Sequence, residues 1–198
     1  DLIKQFKGQK EVEKDIELLA SQVERCNAIL KRLTLNPVEE DEFIDKDINI
    51  RDYLHEIISS FKEISKKEFV FNFDQDSNPK KISKSIEIVY GLRNFIGNAN
   101  KFAKNSIFIN LKSDSEFTEL TVEDDGNGYP RDIISKIGEP YLKSNYSKDK
   151  SKEGLGLGLF IGKTLLEKNF ASVNCRNSKT RSGAEVIIRW KNKELFNI

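Results

Sequence analysis

Two asparagines and a lysine follow helical spacing in the middle of the chain. Asn94, Asn98 and Lys101 are 4 and 3 residues apart, the spacing that brings side chains onto one side of a helix. An amide oxygen can ligate Mg²⁺ while the metal keeps its waters and bridges phosphate oxygens. A lysine one turn further along can neutralise the same phosphates. A solvated polar face of a surface helix would show the same pattern, so both interpretations stay open at this point.

An acidic, glycine-rich run begins at Asp124 and continues through Gly126 and Gly128. It follows an apolar segment that has the composition of a strand. A carboxylate at the end of a strand can accept a hydrogen bond from an exocyclic amine such as that of adenine, and the glycines would let the backbone approach a flat ring. A plain turn explains the same residues equally well.

A second glycine-rich run alternates with leucines. Gly154, Gly156 and Gly158 precede an apolar stretch that extends to Leu166. Because glycine adopts positive φ without a Cβ penalty, such a loop can fold closely around a ligand. The helix after it would direct unpaired N–H groups and the positive end of its dipole at the loop, which suits phosphate. A glycine-rich turn that packs a loop against a sheet is the alternative.

The periodicity between these runs predicts the elements that position them. Helices are predicted over residues 48–61, 83–103 and 157–168, and strands over 69–73, 106–111, 117–123, 171–176 and 184–190. The strands at 106–111 and 117–123 form a predicted hairpin. Residues 127–153 are polar and show little periodicity, which is typical of functional or mobile loops. The pattern predicts an α+β fold, a two-layer α/β sandwich with helices on one face of a mixed or antiparallel sheet.

A separate helix is predicted near the N-terminus, over residues 11–35. Its apolar positions alternate at spacings of 4 and 3, which is a heptad seam, and they are Val12, Ile16, Leu19, Val23, Cys26, Leu30 and Leu33. Asn36-Pro37 ends the helix, and the acidic residues 39–42 form the linker after it. The partner of this seam could be the core of its own domain, an upstream helix or a second copy of the chain. So regular a seam favours a helical bundle, and we expect a homodimer through this helix. The expected domains are therefore 1–42, with this helix and linker, and 43–198, with the sandwich.

Composition argues against several classes of partner. Lys and Arg number 33 against 32 Asp and Glu, a balance that does not indicate binding to nucleic acid or to a membrane surface. The two cysteines, Cys26 and Cys175, are too few and too far apart for a disulfide framework or a zinc site. No apolar run approaches the roughly 18–20 residues that span a bilayer. Because the chain begins at Asp1 and contains no Met, we expect it to be a fragment of a longer gene product.

Four stretches resemble the N, G1, F and G2 boxes of sensor histidine kinases, in the order that the family has them. They are Asn94 with Asn98-Ala99-Asn100-Lys101-Phe102, then Asp124-Asp125-Gly126-Asn127-Gly128, then Gly138-Glu139-Pro140-Tyr141, and last Gly154-Leu155-Gly156-Leu157-Gly158-Leu159. Each motif is weak by itself, and four in register make the resemblance specific. It implies a GHKL (Bergerat) ATP-binding fold with a mixed sheet and three helices, preceded by one long dimerisation helix.

The resemblance also implies a site for ATP and Mg²⁺. Asp124 would accept the adenine amine, Asn98 would ligate the metal, and Asn94 would support the metal and catalysis. Residues 127–153 would form a mobile lid, with Lys143 as a phosphate contact. The residues implied to bind the nucleotide with Asp124 are Asn94, Asn98, Lys101, Phe102, Gly126, Gly128, Tyr129, Lys143, Gly154, Leu155, Gly156, Leu157 and Gly158. Phosphoryl transfer would depend mostly on positioning and on charge neutralisation of the γ-phosphoryl group.

The N-terminal helix extends the resemblance to the redox-responsive RegB/PrrB group within this family. Residues 23–30 are similar to the second helix of its dimerisation and phosphotransfer domain, and Gly138 stands where many relatives have Phe. In that group a cysteine in this helix is linked to redox sensing, which would fall on Cys26. Two copies of the helix could bring two Cys26 thiols near each other. Cys26 could equally be a small buried apolar residue, and Cys175 is expected to lie in the core.

The chain departs from the family at the phosphate acceptor, which is a histidine followed by Glu and, further on, by Pro. The single histidine, His55, precedes Glu56, but Ser60 stands where that box has proline. His55 also follows the Cys26 helix, whereas the acceptor should precede it. We therefore interpret His55 as an ordinary helix residue. The acceptor histidine is expected upstream, together with a membrane-spanning sensor region.

As a whole, the resemblance implies the cytoplasmic catalytic part of a two-component sensor histidine kinase of a bacterial inner membrane. The kinase would be a phosphoprotein that transfers the ATP γ-phosphoryl group to a histidine absent from this fragment, and then to an Asp of a response regulator. The fragment would bind ATP without phosphorylating itself, and any membrane attachment would come through the upstream segments. Two alternatives stay open, a GHKL ATPase that drives a conformational change and a non-catalytic nucleotide-binding dimerisation module.

Overall fold

The computed structural model describes residues 48–74, 81–82, 85–140 and 157–195. The predictions for the N-terminal helix, its dimer seam, the linker and Cys26 fall outside these ranges. So do those for Lys143, Gly154, Leu155 and Gly156. The division into domains 1–42 and 43–198 therefore stays a prediction.

Within these ranges the elements are, in chain order, β1 (Ile48–Asn49), α1 (Ile50–Lys62), β2 (Glu68–Phe73), β3 (Lys81–Ile82), α2 (Ile86–Phe102), β4 (Ser106–Ser113), β5 (Phe117–Asp124), α3 (Arg131–Ile134), α4 (Gly158–Lys168), β6 (Ser172–Asn177), β7 (Ala184–Lys191) and α5 (Asn192–Leu195). The predicted helices α1, α2 and α4 and the five predicted strands are confirmed. The prediction lacks β1, β3, α3 and α5, because segments this short carry no periodicity. None of these helices combines the length and the apolar character that crossing a bilayer requires.

The start of α1 corrects the sequence prediction. The helix predicted from residue 48 begins at Ile50, since Ile48 and Asn49 pair with β3 as a short antiparallel sheet. Asn49 is the N-cap, and its Oδ1 accepts from the Arg51 N–H at 2.9 Å. Asparagine at this position satisfies one of the N–H groups that a helix leaves unpaired at its start.

The five longer strands form one mixed sheet in the order β2-β4-β5-β7-β6. β2 runs parallel to β4, and every other neighbouring pair is antiparallel. The predicted β4–β5 hairpin is confirmed. Its turn is held by Asp114, whose Oδ1 accepts from the N–H groups of Glu116 and Phe117, each at 2.7 Å.

Alternate residues of the sheet form the core beneath the helices. On β5, Leu120 and Val122 are 0% and 2% exposed, and they pair across the sheet with buried residues such as Ile188 of β7. Because side chains alternate along a strand, the register that buries these two residues carries Asp124 onto the same face. An apolar row therefore ends in a carboxylate, which is 3% exposed.

Helices α2 and α4 pack antiparallel through close contacts at two glycines. A Cβ at Gly91 would lie 2.6 Å from Leu166 Cγ, and a Cβ at Gly162 would lie 2.9 Å from Phe95 Cε2 and 3.2 Å from the Gly91 carbonyl oxygen. The missing side chains let the two backbones approach closely. This approach brings the first residue of α4 beside the middle of α2.

Gly162→Ala should destabilise the domain, whereas Gly97→Ala should not. A methyl at Gly162 meets a buried ring and a backbone oxygen, so the helices must shift, at about 1–3 kcal/mol for overpacking. A methyl at Gly97 would lie 3.5 Å from the Phe61 ring, an ordinary contact. Replacing Gly by Ala raises helix propensity by about 1 kcal/mol in both variants. In Gly162→Ala the steric clash offsets this gain, whereas in Gly97→Ala nothing opposes it. Urea unfolding measures the difference, and equal free energies of unfolding would contradict the close helix contact.

Candidate functional site

The carboxylate of Asp124 lies at the C-terminal end of β5. Its Oδ1 accepts hydrogen bonds from the N–H of Gly126 at 2.8 Å and from the N–H of Ala184 at 3.3 Å. Burial raises the pKa of this carboxyl above its ordinary value, and the two N–H groups oppose that shift only in part. Within the described ranges both donors reach Oδ1, so Oδ2 is the oxygen that remains to accept from a ligand.

Glycines on two loops make room for this carboxylate. A Cβ at Gly126 would lie 2.7 Å from Asp124 Oδ1 and 2.5 Å from the Phe102 carbonyl oxygen. A Cβ at Gly183 would overlap the Asp124 backbone carbonyl. A larger residue at Gly126 or at Gly183 would push that loop away from Asp124. Sequence reasoning missed Gly183 and Ala184, because they reach the site through the pairing of β5 with β7, which no local motif reveals.

Asn94 lies where α2 meets the start of α4. Its Nδ2 donates to the Tyr90 carbonyl oxygen at 2.8 Å, one turn back in the same helix. The amide oxygen faces the first residue of α4, where a Cβ at Gly158 would lie 3.4 Å from Oδ1. Leu157, which is half-buried, precedes Gly158 as the N-cap of α4. The structure therefore brings together residues that were predicted from two separate motifs.

The last turns of α2 carry the other predicted residues of this helix. Asn98 and Lys101 are half-buried, and Lys101 Nζ lies 5.3 Å from the ring centre of Phe102, which is 45% exposed. The Phe102 carbonyl is the group that Gly126 approaches. The predicted residues thus follow α2 from Asn94, beside α4, to Phe102, beside the Asp124 loop.

Tyr129 is held against β6 through its backbone. Its N–H donates to Asn177 Oδ1 at 2.5 Å, and its carbonyl accepts from Asn177 Nδ2 at 3.0 Å. Gly128 has φ +72°, which favours glycine, and a Cβ there would lie 2.6 Å from the same Oδ1. The Tyr129 ring packs on the core, as does the Cys175 side chain. Sequence reasoning missed Asn177, since an asparagine at a strand end carries no signal of this clamp.

Gly138 lies in the segment that the resemblance to sensor histidine kinases assigns to a lid. It adopts φ +102°, and a Cβ there would lie 2.8 Å from Lys163 Cδ on α4. Lys163 Nζ in turn lies 3.8 Å from Glu167 Oε1. The segment is therefore packed on α4 at Gly138. The predicted phosphate contacts beyond it, Lys143 and the first glycines of the G2 run, lie outside the described residues.

His55 is an exposed residue of α1. Its ring meets Phe71 of β2 edge-on, with centroids 4.7 Å apart and an interplanar angle of 84°. β2 is an edge strand of the sheet, and β4 separates it from β5. This placement supports the interpretation of His55 as an ordinary helix residue.

The donor set on α2 suits a metal that arrives with phosphate oxygens. Asn94 and Asn98 offer neutral amide oxygens, and in the described part of the chain no group of three or more His, Cys, Asp or Glu side chains could hold a metal by itself. Mg²⁺ keeps several waters and takes substrate phosphates alongside one or two protein ligands. The residues present therefore fit Mg²⁺ as a companion of a nucleotide.

Comparison with known proteins decides the family. Residues 83–194 match the family model described as histidine kinase-, DNA gyrase B- and HSP90-like ATPase. The chain belongs to this ATPase family. The matched range contains the whole of α2, the Asp124 loop and α4, so it includes each of the motifs that the structure brings together.

Proteins similar to this ATPase domain include sensor histidine kinases. The sensor histidine kinase RegB of Cereibacter sphaeroides is 29% identical over 186 residues, which cover 90% of this chain and 40% of RegB. The mycobacterial sensor histidine kinase MprB has a TM-score of 0.62 at 18% identity, over 74% of this chain and 97% of that chain. The nucleotide-free catalytic domain of histidine kinase ThkA has a TM-score of 0.61 at 20% identity over the same shares. These comparisons confirm the predicted sandwich fold and the resemblance to sensor histidine kinases.

Cys175 of the ATPase domain should resist alkylation while the protein is folded. Burial raises the pKa of its thiol to about 11, although the Tyr129 hydroxyl opposes this shift. At pH 8 the reactive thiolate is then about a hundredfold rarer than for an ordinary cysteine. In a Cys26→Ser background, iodoacetamide labelling read by mass spectrometry should be slow in buffer and fast in urea. Equal rates in the two conditions would contradict the burial that raises the pKa of this thiol.

Proposed function

We propose that this domain binds ATP and acts as the catalytic part of a sensor histidine kinase, delivering the γ-phosphoryl group to a histidine. The observation that carries the proposal is the buried Asp124 carboxylate, whose Oδ1 is fixed by the N–H groups of Gly126 and Ala184. Its other oxygen suits the exocyclic amine of adenine and would face the carbonyl oxygen of guanine unfavourably. Family membership and the similarity to RegB support the same assignment.

The Asp124 loop is the proposed purine end of the site. Because Gly126 has no side chain, a flat ring can lie close to the backbone beside the Asp124 carboxylate. Gly128 and Tyr129 hold the loop after Asp124 against β6, and Phe102 presents its partly exposed ring at the end of α2. An aromatic ring at this point would contact the purine or the sugar.

The face of α2 that carries Asn94, Asn98 and Lys101 is the proposed phosphate end. The Lys101 ammonium neutralises phosphate charge, and the amide oxygens of Asn98 and Asn94 orient the metal–phosphate group. The N–H groups at the start of α4 add the positive end of a helix dipole. When bound, Mg²⁺ supplies charge neutralisation for the phosphoryl group in transfer. The residues proposed to close over the phosphates are Lys143, Gly154, Leu155, Gly156, Leu157 and Gly158.

Positioning and electrostatics account for the proposed catalysis. Phosphoryl transfer needs little covalent chemistry from the protein, so the enzyme acts by holding the γ-phosphoryl group in line with its acceptor. Donors that are already oriented need no reorganisation as charge develops. Asn94 meets this requirement through its bond to the Tyr90 carbonyl, which fixes its amide.

The rest of the proposed pathway lies beyond this domain. The chain spans about 40% of the length of RegB. We propose that the acceptor histidine belongs to the remainder of the protein, which would act as a homodimer and pass the phosphoryl group to a response regulator receiver domain. A redox role for Cys26 belongs to the same proposal.

Asp124→Asn should abolish ATP binding without destabilising the fold. The Asn Oδ1 can still accept from Gly126 and Ala184, but its amide nitrogen would meet the adenine amine as donor against donor. The folded-state pKa of Asp124 is raised, so the ionised carboxylate costs stability at neutral pH, and that cost disappears as pH falls through the raised pKa. Removing the charge should leave the free energy of unfolding equal or higher. Calorimetry with MgATP and urea unfolding measure the two effects.

Glu123→Gln is the matched control. Glu123 precedes Asp124 in β5 and is 6% exposed, but its carboxylate lies on the other face of the sheet, where Thr180 Oγ1 donates to it at 3.1 Å. The change removes a buried carboxylate from the same strand without touching the proposed site. Unchanged ATP affinity in Asp124→Asn, or an equal loss in Glu123→Gln, would contradict the role assigned to Asp124.

A further inference from the structure

Lys67 holds the C-terminal end of α2. Its ammonium donates to the carbonyl oxygens of Asn100 and, at 2.6 Å, of Ala103. Carbonyls in the last turn of a helix lack intrahelical partners, and a cation there also offsets the negative end of the dipole. The Ser65 hydroxyl adds a hydrogen bond to Asn100 Oδ1 at 2.7 Å. The segment between α1 and β2 therefore holds the end of α2 in place.

Asp125 holds the two residues that follow the C-cap of the same helix. Its Oδ1 accepts from the N–H of Lys104 at 2.7 Å and from the N–H of Asn105 at 3.0 Å, and its Oδ2 lies 3.0 Å from the Asn105 nitrogen. Burial alone would raise the pKa of Asp125, but these backbone donors hold it below its ordinary value. The carboxylate is therefore ionised, and its hydrogen bonds are charge-assisted. Because Asp125 follows Asp124 directly, it ties the Asp124 loop to the end of α2.

We propose that Asp125 and Lys67 are positioning residues that set the distance between the purine-binding Asp124 and the phosphate-binding face of α2. The inference rests on the function proposed above. Lys101 lies between the two carbonyls that Lys67 holds, and Asn98 precedes them within the same helix. A movement at this helix end would therefore displace the phosphate-binding groups relative to the Asp124 carboxylate.

ATP makes this distance important because one ligand must meet both groups at once. If the end of α2 shifts, the Asp124 loop can still meet adenine and the α2 face can still meet phosphate. The intact nucleotide then loses the advantage of simultaneous contact. When the spacing between Asp124 and the α2 face is already fixed in the free protein, binding costs no conformational entropy to establish it. Loss of the Lys67 or the Asp125 contacts should therefore weaken binding of the whole nucleotide more than binding of its parts.

Asp114 provides a matched control for Asp125. Like Asp125, it accepts from two successive backbone N–H groups, but these lie in the β4–β5 turn, each at 2.7 Å. The two aspartates lie beyond opposite ends of β5, whose 8 residues span roughly 25 Å of strand. Asp114→Ala should lower stability by a similar mechanism without moving α2 relative to Asp124.

The experiment compares dissociation constants for adenosine, magnesium tripolyphosphate and MgATP by NMR titration of the 198-residue chain. Asp125→Ala should weaken MgATP binding about tenfold, while adenosine and magnesium tripolyphosphate each change less than about twofold. Lys67→Met should likewise weaken MgATP binding much more than the binding of adenosine or magnesium tripolyphosphate. Lys67→Arg should restore MgATP binding, because a guanidinium can also donate to two carbonyls. Asp114→Ala should leave all three constants unchanged.

Two results would overturn the inference while the proposed function stands. One is tight MgATP binding in both Asp125→Ala and Lys67→Met. The other is an equal loss for adenosine and MgATP, which would mean that the residues act only on the Asp124 loop. If Asp125→Ala does not fold, the Lys67→Met and Lys67→Arg pair decides between the same outcomes. Failure of the wild-type chain to bind MgATP would instead overturn the proposed function itself.

Discussion

The carboxylate of Asp124 is buried at the end of β5 and, within the described ranges, receives only the N–H groups of Gly126 and Ala184. Removing an ionised group from water is costly unless partners replace its hydration, and the raised pKa of Asp124 shows that these partners do so incompletely. A residue that costs stability in the free domain is typical of a functional site. The surrounding loops depend on this constraint, because two glycines must approach the carboxylate closely for it to be held at all.

The rest of the fold connects this carboxylate to a second set of groups on α2. The apolar alternation of β5 fixes which way Asp124 faces, and the close packing of α2 on α4 fixes where Asn94 lies. Between these two points, α2 acts as a rigid element of defined length. Lys67 holds its last turn, and Asp125 holds the two residues that follow its C-cap, so the two ends of the candidate site keep one spacing.

Much of this arrangement follows from local sequence patterns. The 4 and 3 spacing of Asn94, Asn98 and Lys101 identifies one helical face, and the alternation of 117–123 identifies the strand that carries Asp124. Four motifs in the order of a known family then indicate the fold, which the comparisons confirm.

The contacts that sequence reasoning missed are long-range. Asn177 clamps Tyr129 from 48 residues away, and Ala184 reaches Asp124 from 60 residues away. Lys67 holds a helix end more than 30 residues further along the chain. Such partners are set by strand register and by the packing of α1, β2 and α2. A short window of neighbouring residues in the sequence contains no information about either the register or this packing. Asp125 lies within a recognised motif, but its role depends on where α2 ends.

Backbone amide NMR with and without MgATP tests whether one nucleotide contacts both the Asp124 loop and α2, because it locates the ligand without any substitution. We expect the chemical shifts of Asn98, Lys101 and Gly126 to change together, with the same concentration midpoint. The opposite end of β5, where the Asn192 N–H donates to the Glu116 carbonyl oxygen at 2.8 Å, should not respond. Changes confined to that opposite end, or no changes at Gly126 and the α2 residues at saturating MgATP, would contradict a nucleotide site between Asp124 and α2.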